Sequence, residues 1–292
     1  MRDNIYSQSQ KDEAAYFFSS LRDRICVEFE KIEAELTGEN HPLNPIGQFE
    51  RTRWNRQTED NSHGGGGEMS VMKGRVFEKV GVNVSTVFGT FSPEFREKIP
   101  GATENDGQFF ATGLSLVAHM QSPFVPAVHM NLRMITTSKG WLGGGTDLNP
   151  VYPNNEDTEK FHADLKSCCE RHNPNYYPDY KKWCDTYFYL PHRNEMRGVG
   201  GIFYDNLNTG DFDKDFRFHK DVGETFLKSY PEIVRTHMER DWTEDNREHQ
   251  LLRRGRYAEF NLLYDRGTAF GLKTNGNIDA ILMSMPPEAK WS

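Results

Sequence analysis

Val128-His129-Met130-Asn131-Leu132-Arg133-Met134-Ile135 decides the fold class. Val128, Met130, Leu132 and Met134 alternate with His129, Asn131, Arg133 and Ile135, so a strand here has one apolar face. The opposite face carries an imidazole, an amide and a guanidinium two residues apart. Upstream, Val80, Val82, Val84 and Thr86 alternate with Gly81, Asn83, Ser85 and Val87. Leu114, Leu116 and Ala118 do so with Ser115, Val117 and His119. No helix-length segment separates the second run from the third, which predicts antiparallel pairing.

Helical signals flank these strands. Phe18, Leu21, Ile25, Phe29, Ile32 and Leu36 recur at three- and four-residue steps, predicting an amphipathic helix over 9–37 that ends at Gly38, Pro42 and Pro45. Residues 39–68 are polar and finish in four glycines at 64–67, which reads as a mobile loop. After Pro150, helices are expected over 156–169, 179–189 and 213–238, and another from a Thr243 cap to Gly255. Two last strands are expected over 257–264 and 278–285. This order predicts an α+β fold, a single domain over 1–292 with a large antiparallel sheet flanked by α-helices.

Composition narrows the function classes. The 292 residues hold 35 Lys and Arg against 43 Asp and Glu, a net charge of −8 that argues against nucleic-acid binding. Mean hydropathy is −0.77 and no stretch reaches the length of a membrane span, while 20 Phe, 12 Tyr and 5 Trp suit a packed core. Cys26, Cys168, Cys169 and Cys184 include no C-x-x-C pair, and the first residues lack an apolar signal core. A reducing, cytoplasmic location is expected.

His129, Asn131 and Arg133 form either a site for an acidic substrate or a solvated polar stripe. Ser115 and His119 share a face of the neighbouring strand, so pairing would bring two histidines and a cation together. In Trp141-Leu142-Gly143-Gly144-Gly145-Thr146-Asp147-Leu148-Asn149-Pro150 the glycines allow close backbone approach to a ligand, or make a tight turn capped by Asp147. His119, His129, His162 and His192 are enough imidazoles for a divalent metal, without a metalloprotease spacing. Arg253, Arg254 and Arg256 mark a carboxylate site or a dimer rim. No nucleotide fingerprint occurs.

Several of these blocks together resemble the oxygen-dependent coproporphyrinogen III oxidases. They are 128–133, 143–148, 180–185, 188–195, 197–201, 254–262 and 281–287. The resemblance implies oxidative decarboxylation of two propionates of coproporphyrinogen III to vinyl groups, giving protoporphyrinogen IX, CO₂ and H₂O₂ in haem synthesis. It implies O₂ as co-substrate, no organic cofactor, and a homodimer involving the segment from Tyr257. It implies His129 as proton donor, Asp147 as a carboxylate holding the pyrrole N–H groups, and Arg133 as a catalytic residue. Ser115, Asn131, Leu132, Arg133, Asn275, Gly276 and Asn277 match substrate contacts, and His119, His129, His162 and His192 match divalent-metal ligands. The chain departs from the family pattern at Gly140-Trp141-Leu142, at Asn149, and at Thr274-Asn275-Gly276-Asn277, where the family ends in arginine. Two rivals use the same residues: a tetrapyrrole-binding protein without turnover, and a metal oxygenase on His119, His129 and Asp147.

Overall fold

The computed structural model describes residues 5–37, 45–58, 62–273 and 276–291. The chain opens with α1 (Gln8–Glu35), then β1 (Glu50–Gln57), β2 (His63–Met72) and β3 (Phe77–Thr90). After α2 (Pro93–Arg96) come β4 (Gln108–Met120), β5 (Ala127–Thr136) and β6 (Gly140–Asn149). Helices α3 (Asn155–Glu170) and α4 (Tyr176–Tyr187) precede the short β7 (Tyr189–Leu190) and β8 (Glu195–Met196), then β9 (Gly200–Leu207). The chain closes with α5 (Phe212–His237), α6 (Glu244–Leu263), α7 (Arg266–Lys273) and α8 (Ile278–Leu282).

Seven strands form one sheet in the order β1-β2-β3-β4-β5-β6-β9, each pair antiparallel. The α+β expectation, with a large antiparallel sheet flanked by helices, is therefore met. The alternation explains the layering. Val80 and Val82, Leu114 and Leu116, and Met130 and Leu132 share one apolar core with Leu21, Ile25 and Phe29 of α1 and Val222, Phe226 and Tyr230 of α5. Each such side chain taken from water contributes about 1.5–3 kcal/mol, which fixes the register of these strands.

One buried carboxylate ties α1 to the sheet. Glu33 Oε1 accepts from the backbone N–H of Val76 (2.9 Å) and Phe77 (2.7 Å), and Oε2 from those of Gly47 (3.1 Å) and Arg75 (2.9 Å). The helix start is held by a reciprocal Ser7–Gln10 capping box.

Three expectations are corrected. Residues 39–68 are not one loop, because they contribute β1 and most of β2. β1 is an edge strand whose residues are largely exposed, and glycines have no side chains to alternate, so neither strand shows a period of two. The glycine-rich run 143–149 is not a turn but β6, buried along its whole length. Segments 257–264 and 278–285 are not strands: α6 starts at the Thr243 cap and runs through Gly255 to Leu263, and α8 covers most of the second. Gly255 is inside a helix because Lys290 O passes within 2.6 Å of where a Cβ would stand. The helix stops at Gly38 and Pro42 lie outside the described residues, and α1 ends at the Leu36 cap.

Candidate active site

The odd-numbered positions of β5 face away from the helical core, and strand register builds a site around them. Three rows cross the sheet. The first is Gly81–Val117–His129–Asp147–Gly201, the second Asn83–Ser115–Asn131–Gly145–Phe203, and the third Ser85–Gly113–Arg133–Gly143. Gly145 stands beside Asn131, and Gly113 and Gly143 flank Arg133, so this part of the face is a low floor. Ser115, on a central strand, is exposed, and Asn131 and Arg133 are partly exposed.

His129 sits in a defined hydrogen-bond chain. Its Nδ1 is 2.9 Å from Asp147 Oδ1, and its Nε2 is 3.1 Å from Asn131 Nδ2. An ionised carboxylate only accepts and an amide NH₂ only donates, so Nδ1 carries the proton and Nε2 accepts from Asn131. Asn131 Oδ1 is the acceptor for Arg133 Nη1 at 3.5 Å, and Arg133 Nη2 pairs with Asp205 Oδ2 at 2.9 Å. A Cβ at Gly143 would lie 2.5 Å from Asp205 Oδ1 and 3.0 Å from Arg133 Nε, so a side chain there would displace this ion pair.

Asp147 is only 1 % exposed. Arg197 Nη2 donates to both its oxygens at 2.8 and 2.7 Å, and Asn149 Nδ2 to Oδ2 at 2.9 Å. Burial alone would raise the Asp147 pKa, but the Arg197 charge and the His129 hydrogen bond pull it down to about 2. Asp147 thus sits beside His129 in the first row, buried with its oxygens occupied, aligning His129 rather than facing the open surface. Arg197 is boxed by the rings of Phe188, Tyr257 and Phe260 at 4.0, 4.7 and 4.7 Å, and its Nη1 donates to Asn261 Oδ1 at 2.8 Å.

The C-terminal helices border the floor. Asn83 Nδ2 donates to Ala280 O at 3.0 Å and Lys79 Nζ to Met285 O at 3.0 Å, anchoring α8 and its tail over β3. Asn277 caps α8 through Ala280 N, and Gly276 N donates to Gly271 O, so Gly276 and Asn277 join α7 to α8 at this border. Asn275 lies outside the described residues. On the β9 side, Tyr187 stacks on Phe203 at 4.4 Å, and its hydroxyl donates to Asp265 Oδ1 at 2.9 Å. Burial acts to raise the Asp265 pKa, but hydrogen bonds from Thr268 and Tyr187 hold it below the ordinary carboxylate value.

The Leu132 side chain is in the apolar core on the opposite face, so it contributes no side chain to the floor. The four histidines also do not converge on one metal centre within the chain. His119 Nε2 meets Ser284 O at 2.9 Å, and His162 meets Val199 O and Tyr177 Oη at 3.0 Å each. His192 meets Glu259 at 2.7 Å and Tyr264 Oη at 2.9 Å, while both ring nitrogens of His129 are engaged as described. Among the described residues, no group of three or more His, Cys, Asp or Glu side chains is arranged to hold a metal ion.

Each arginine of the cluster has an ion-pair partner within the chain: Arg254 pairs with Glu78 at 2.6 Å, and Arg253 and Arg256 pair with Glu195 at 3.4 and 3.2 Å. Sequence reasoning missed Arg197, Asn149 and Asp205 as site residues. Arg197 opens a quoted motif but has no periodic neighbour, and only the fold brings it to Asp147.

Residues 13–292 match the family model described as coproporphyrinogen III oxidase. The chain belongs to that family. The oxygen-dependent coproporphyrinogen-III oxidase of Rickettsia bellii (strain RML369-C) is 58% identical over 286 residues, covering 98% of this chain and 100% of the relative. The enzymes of that name from Rickettsia akari (strain Hartford) and Rickettsia rickettsii (strain Sheila Smith) are each 59% identical over 282 residues, covering 97% of this chain and 98% of the relative. The motif resemblance to the coproporphyrinogen III oxidases is thereby borne out over nearly the whole chain.

Proposed function

We propose that the chain catalyses the oxygen-dependent oxidative decarboxylation of coproporphyrinogen III to protoporphyrinogen IX in haem biosynthesis. The observation that carries this reading is the floor of Ser115, Asn131 and Arg133 beside a His129 whose Nε2, held by the Asn131 amide, is an acceptor. In each half-reaction a ring propionate loses a hydrogen from its β-carbon and CO₂ from its α-carbon. The C–C bond electrons become the vinyl double bond, and two electrons pass to O₂. One solvent proton is taken up, so vinyl, CO₂ and H₂O₂ balance. O₂ is the co-substrate, and the electron-rich pyrrole takes the place of an organic cofactor.

The residues present suit distinct roles. Arg133 pairs with a propionate in place of, or beside, Asp205, and charge-assisted hydrogen bonds of this kind contribute about 1.5–3 kcal/mol each. Ser115 and Asn131 contact the same side of the macrocycle, with Gly276 and Asn277 at the α7–α8 border. His129 Nε2 takes a pyrrole N–H proton, Asp147 and Arg197 stabilise and orient the resulting imidazolium, and the proton is later returned. Asp147 therefore acts through His129, and its filled coordination leaves the pyrrole N–H groups to Nε2.

The exposed apolar side chains of the closing helices, with Leu262 60% and Leu263 62% exposed and Leu272 and Ile278 also uncovered, support a homodimer through this segment. Tyr257 itself is buried within the protomer. Sedimentation of the dilute protein tests the dimer. No helix of the described residues is long and apolar enough to cross a membrane. The four cysteines are buried free thiols, which suits the proposed cytoplasmic location.

The activity is tested by incubating the protein with coproporphyrinogen III with and without air and separating the products. Protoporphyrinogen formed only in air is the expected result. Tight binding without product in either atmosphere would replace this reading with a tetrapyrrole carrier.

A further inference from the structure

Behind Arg197 is a second, small cavity of about 30 Å³, lined by His119, Ala127, Asn149, Val151, Arg197 and Arg254 with their neighbours. Five buried polar atoms of this lining have no protein partner: His119 Nδ1, Asn149 Oδ1, Arg197 Nε, Arg254 Nη1 and Tyr257 Oη. Buried polar groups in folded proteins are nearly always satisfied, so five on one small cavity indicate a ligand.

The remaining bonds of each residue define its character. Asn149 Nδ2 is committed to Asp147, so Oδ1 faces away as an acceptor. Arg197 Nη1 and Nη2 hold Asn261 and Asp147, which leaves Nε–H as a donor. Arg254 Nη2 holds Glu78 and Met120 O, which leaves Nη1–H groups as donors. His119 Nε2 meets a carbonyl, which only accepts, so Nε2 is the donor and Nδ1 an acceptor. Burial and the Arg254 charge keep this imidazole neutral, its pKa pushed down to about 3.

Two donors, two acceptors and the Tyr257 hydroxyl, which serves as either, select the guest. A bare anion would face two acceptors, a metal ion would face two guanidiniums, and an apolar molecule would satisfy nothing. One water requires roughly 10–15 Å³ of such space, so the cavity has room for about two oxygen atoms. We propose that it is a binding site for two hydrogen-bonded oxygens, as a water pair or as hydrogen peroxide, which presents the same chemistry in one molecule. The guest bridges Arg197 and Asn149, and these are the residues that hold Asp147 beside His129. Occupancy therefore stiffens the support of the catalytic imidazole from behind. The peroxide form rests on the oxidase reading, and the water form does not.

Crystals of the whole protein diffracting to atomic resolution, with and without a hydrogen peroxide soak, test the site directly. Two separate oxygen peaks on these five atoms establish the water form, and a bonded oxygen pair after soaking establishes the peroxide form. An empty cavity, or a single ion in it, overturns the proposal whether or not the protein turns over porphyrinogen. Ala127→Val fills the space from a residue outside the hydrogen-bond chain, and Val151→Leu is the second variant if the first does not fold. Loss of the peaks with about tenfold lower kcat and unchanged KM is expected, as a small misplacement of a catalytic group produces. Loss of the peaks with unchanged kcat would overturn the link to His129.

Discussion

Arg197 Nη2 spans both oxygens of Asp147, at 2.8 and 2.7 Å, while Oδ1 of the same carboxylate stays 2.9 Å from His129 Nδ1. One buried cation thus keeps a buried anion ionised, and that anion fixes the tautomer of the imidazole beside it. Neither charge is supported alone.

Removing the cation should therefore be severe. Arg197→Gln leaves an uncompensated carboxylate in the interior, and a loss of about 3–5 kcal/mol in unfolding free energy is expected. Arg197→Lys keeps the charge but not the fork that reaches Asn261 and Asp147 together. It should fold better than Arg197→Gln yet still lose turnover, as urea melts and steady-state rates would reveal. Equal stability of Arg197→Gln and the parent protein would contradict the pairing.

Asp147→Asn exposes the tautomer argument. An amide in place of the carboxylate presents a donor to Nδ1 and favours the other tautomer, with Nε2 protonated and unable to accept. kcat should fall by about 10²–10⁴-fold, the usual contribution of a placed acid–base group, with KM little changed. Nitrogen NMR of labelled histidine should report an Nδ1–H imidazole at His129 in the parent and the Nε2–H form in the variant.

Arg133 and Gly143 should act on binding. Arg133→Ala removes the charge assigned to a propionate and should raise KM by about 10–100-fold, in keeping with a charge-assisted hydrogen bond. Gly143→Ala places a methyl against Asp205 and the Arg133 guanidinium, so a smaller rise in KM is expected with the fold intact. Unchanged KM in both variants would move propionate recognition elsewhere.

Stability should depend on pH through buried groups. Burial pushes His119 and His219 each down to about 3, assisted by Arg254 and by Arg133 respectively. An unfolded histidine titrates near ~6.5, so below that pH the unfolded chain binds protons the folded chain refuses. Stability is full above ~6.5 and falls with pH, by up to about 1.4 kcal/mol per pH unit for each histidine. Asp147, at about 2 when folded, adds a second loss as pH falls from ~4 through 2. Urea midpoints should thus be level from pH 7 to 8 and drop steadily from 6 to 4. His119→Gln should flatten part of that drop, and a midpoint unchanged between pH 7 and 5 would contradict it.

The strands that face solvent on one side were legible because their side chains alternate, and β5 alone placed His129, Asn131 and Arg133 on one face. β6 was not, since it is buried on both faces and its glycines replace the side chains that would have alternated. The α6 helix was cut short at Gly255 because a glycine that makes room for a passing backbone looks like a helix stop. The site divides the same way. Residues two apart on one strand could be read together, whereas Arg197 lies 50 positions from Asp147 in sequence and meets it only through the fold. The histidines, read together by residue type, separate in space because each already has a nearby partner.

The most direct measurement follows oxygen uptake, peroxide release and vinyl formation together, with coproporphyrinogen III and either the parent protein or Asp147→Asn. The account predicts one O₂ consumed and one H₂O₂ released per vinyl group in the parent, and binding with almost no uptake in the variant. Uptake at the parent rate in Asp147→Asn, or vinyl formation without oxygen, would contradict it.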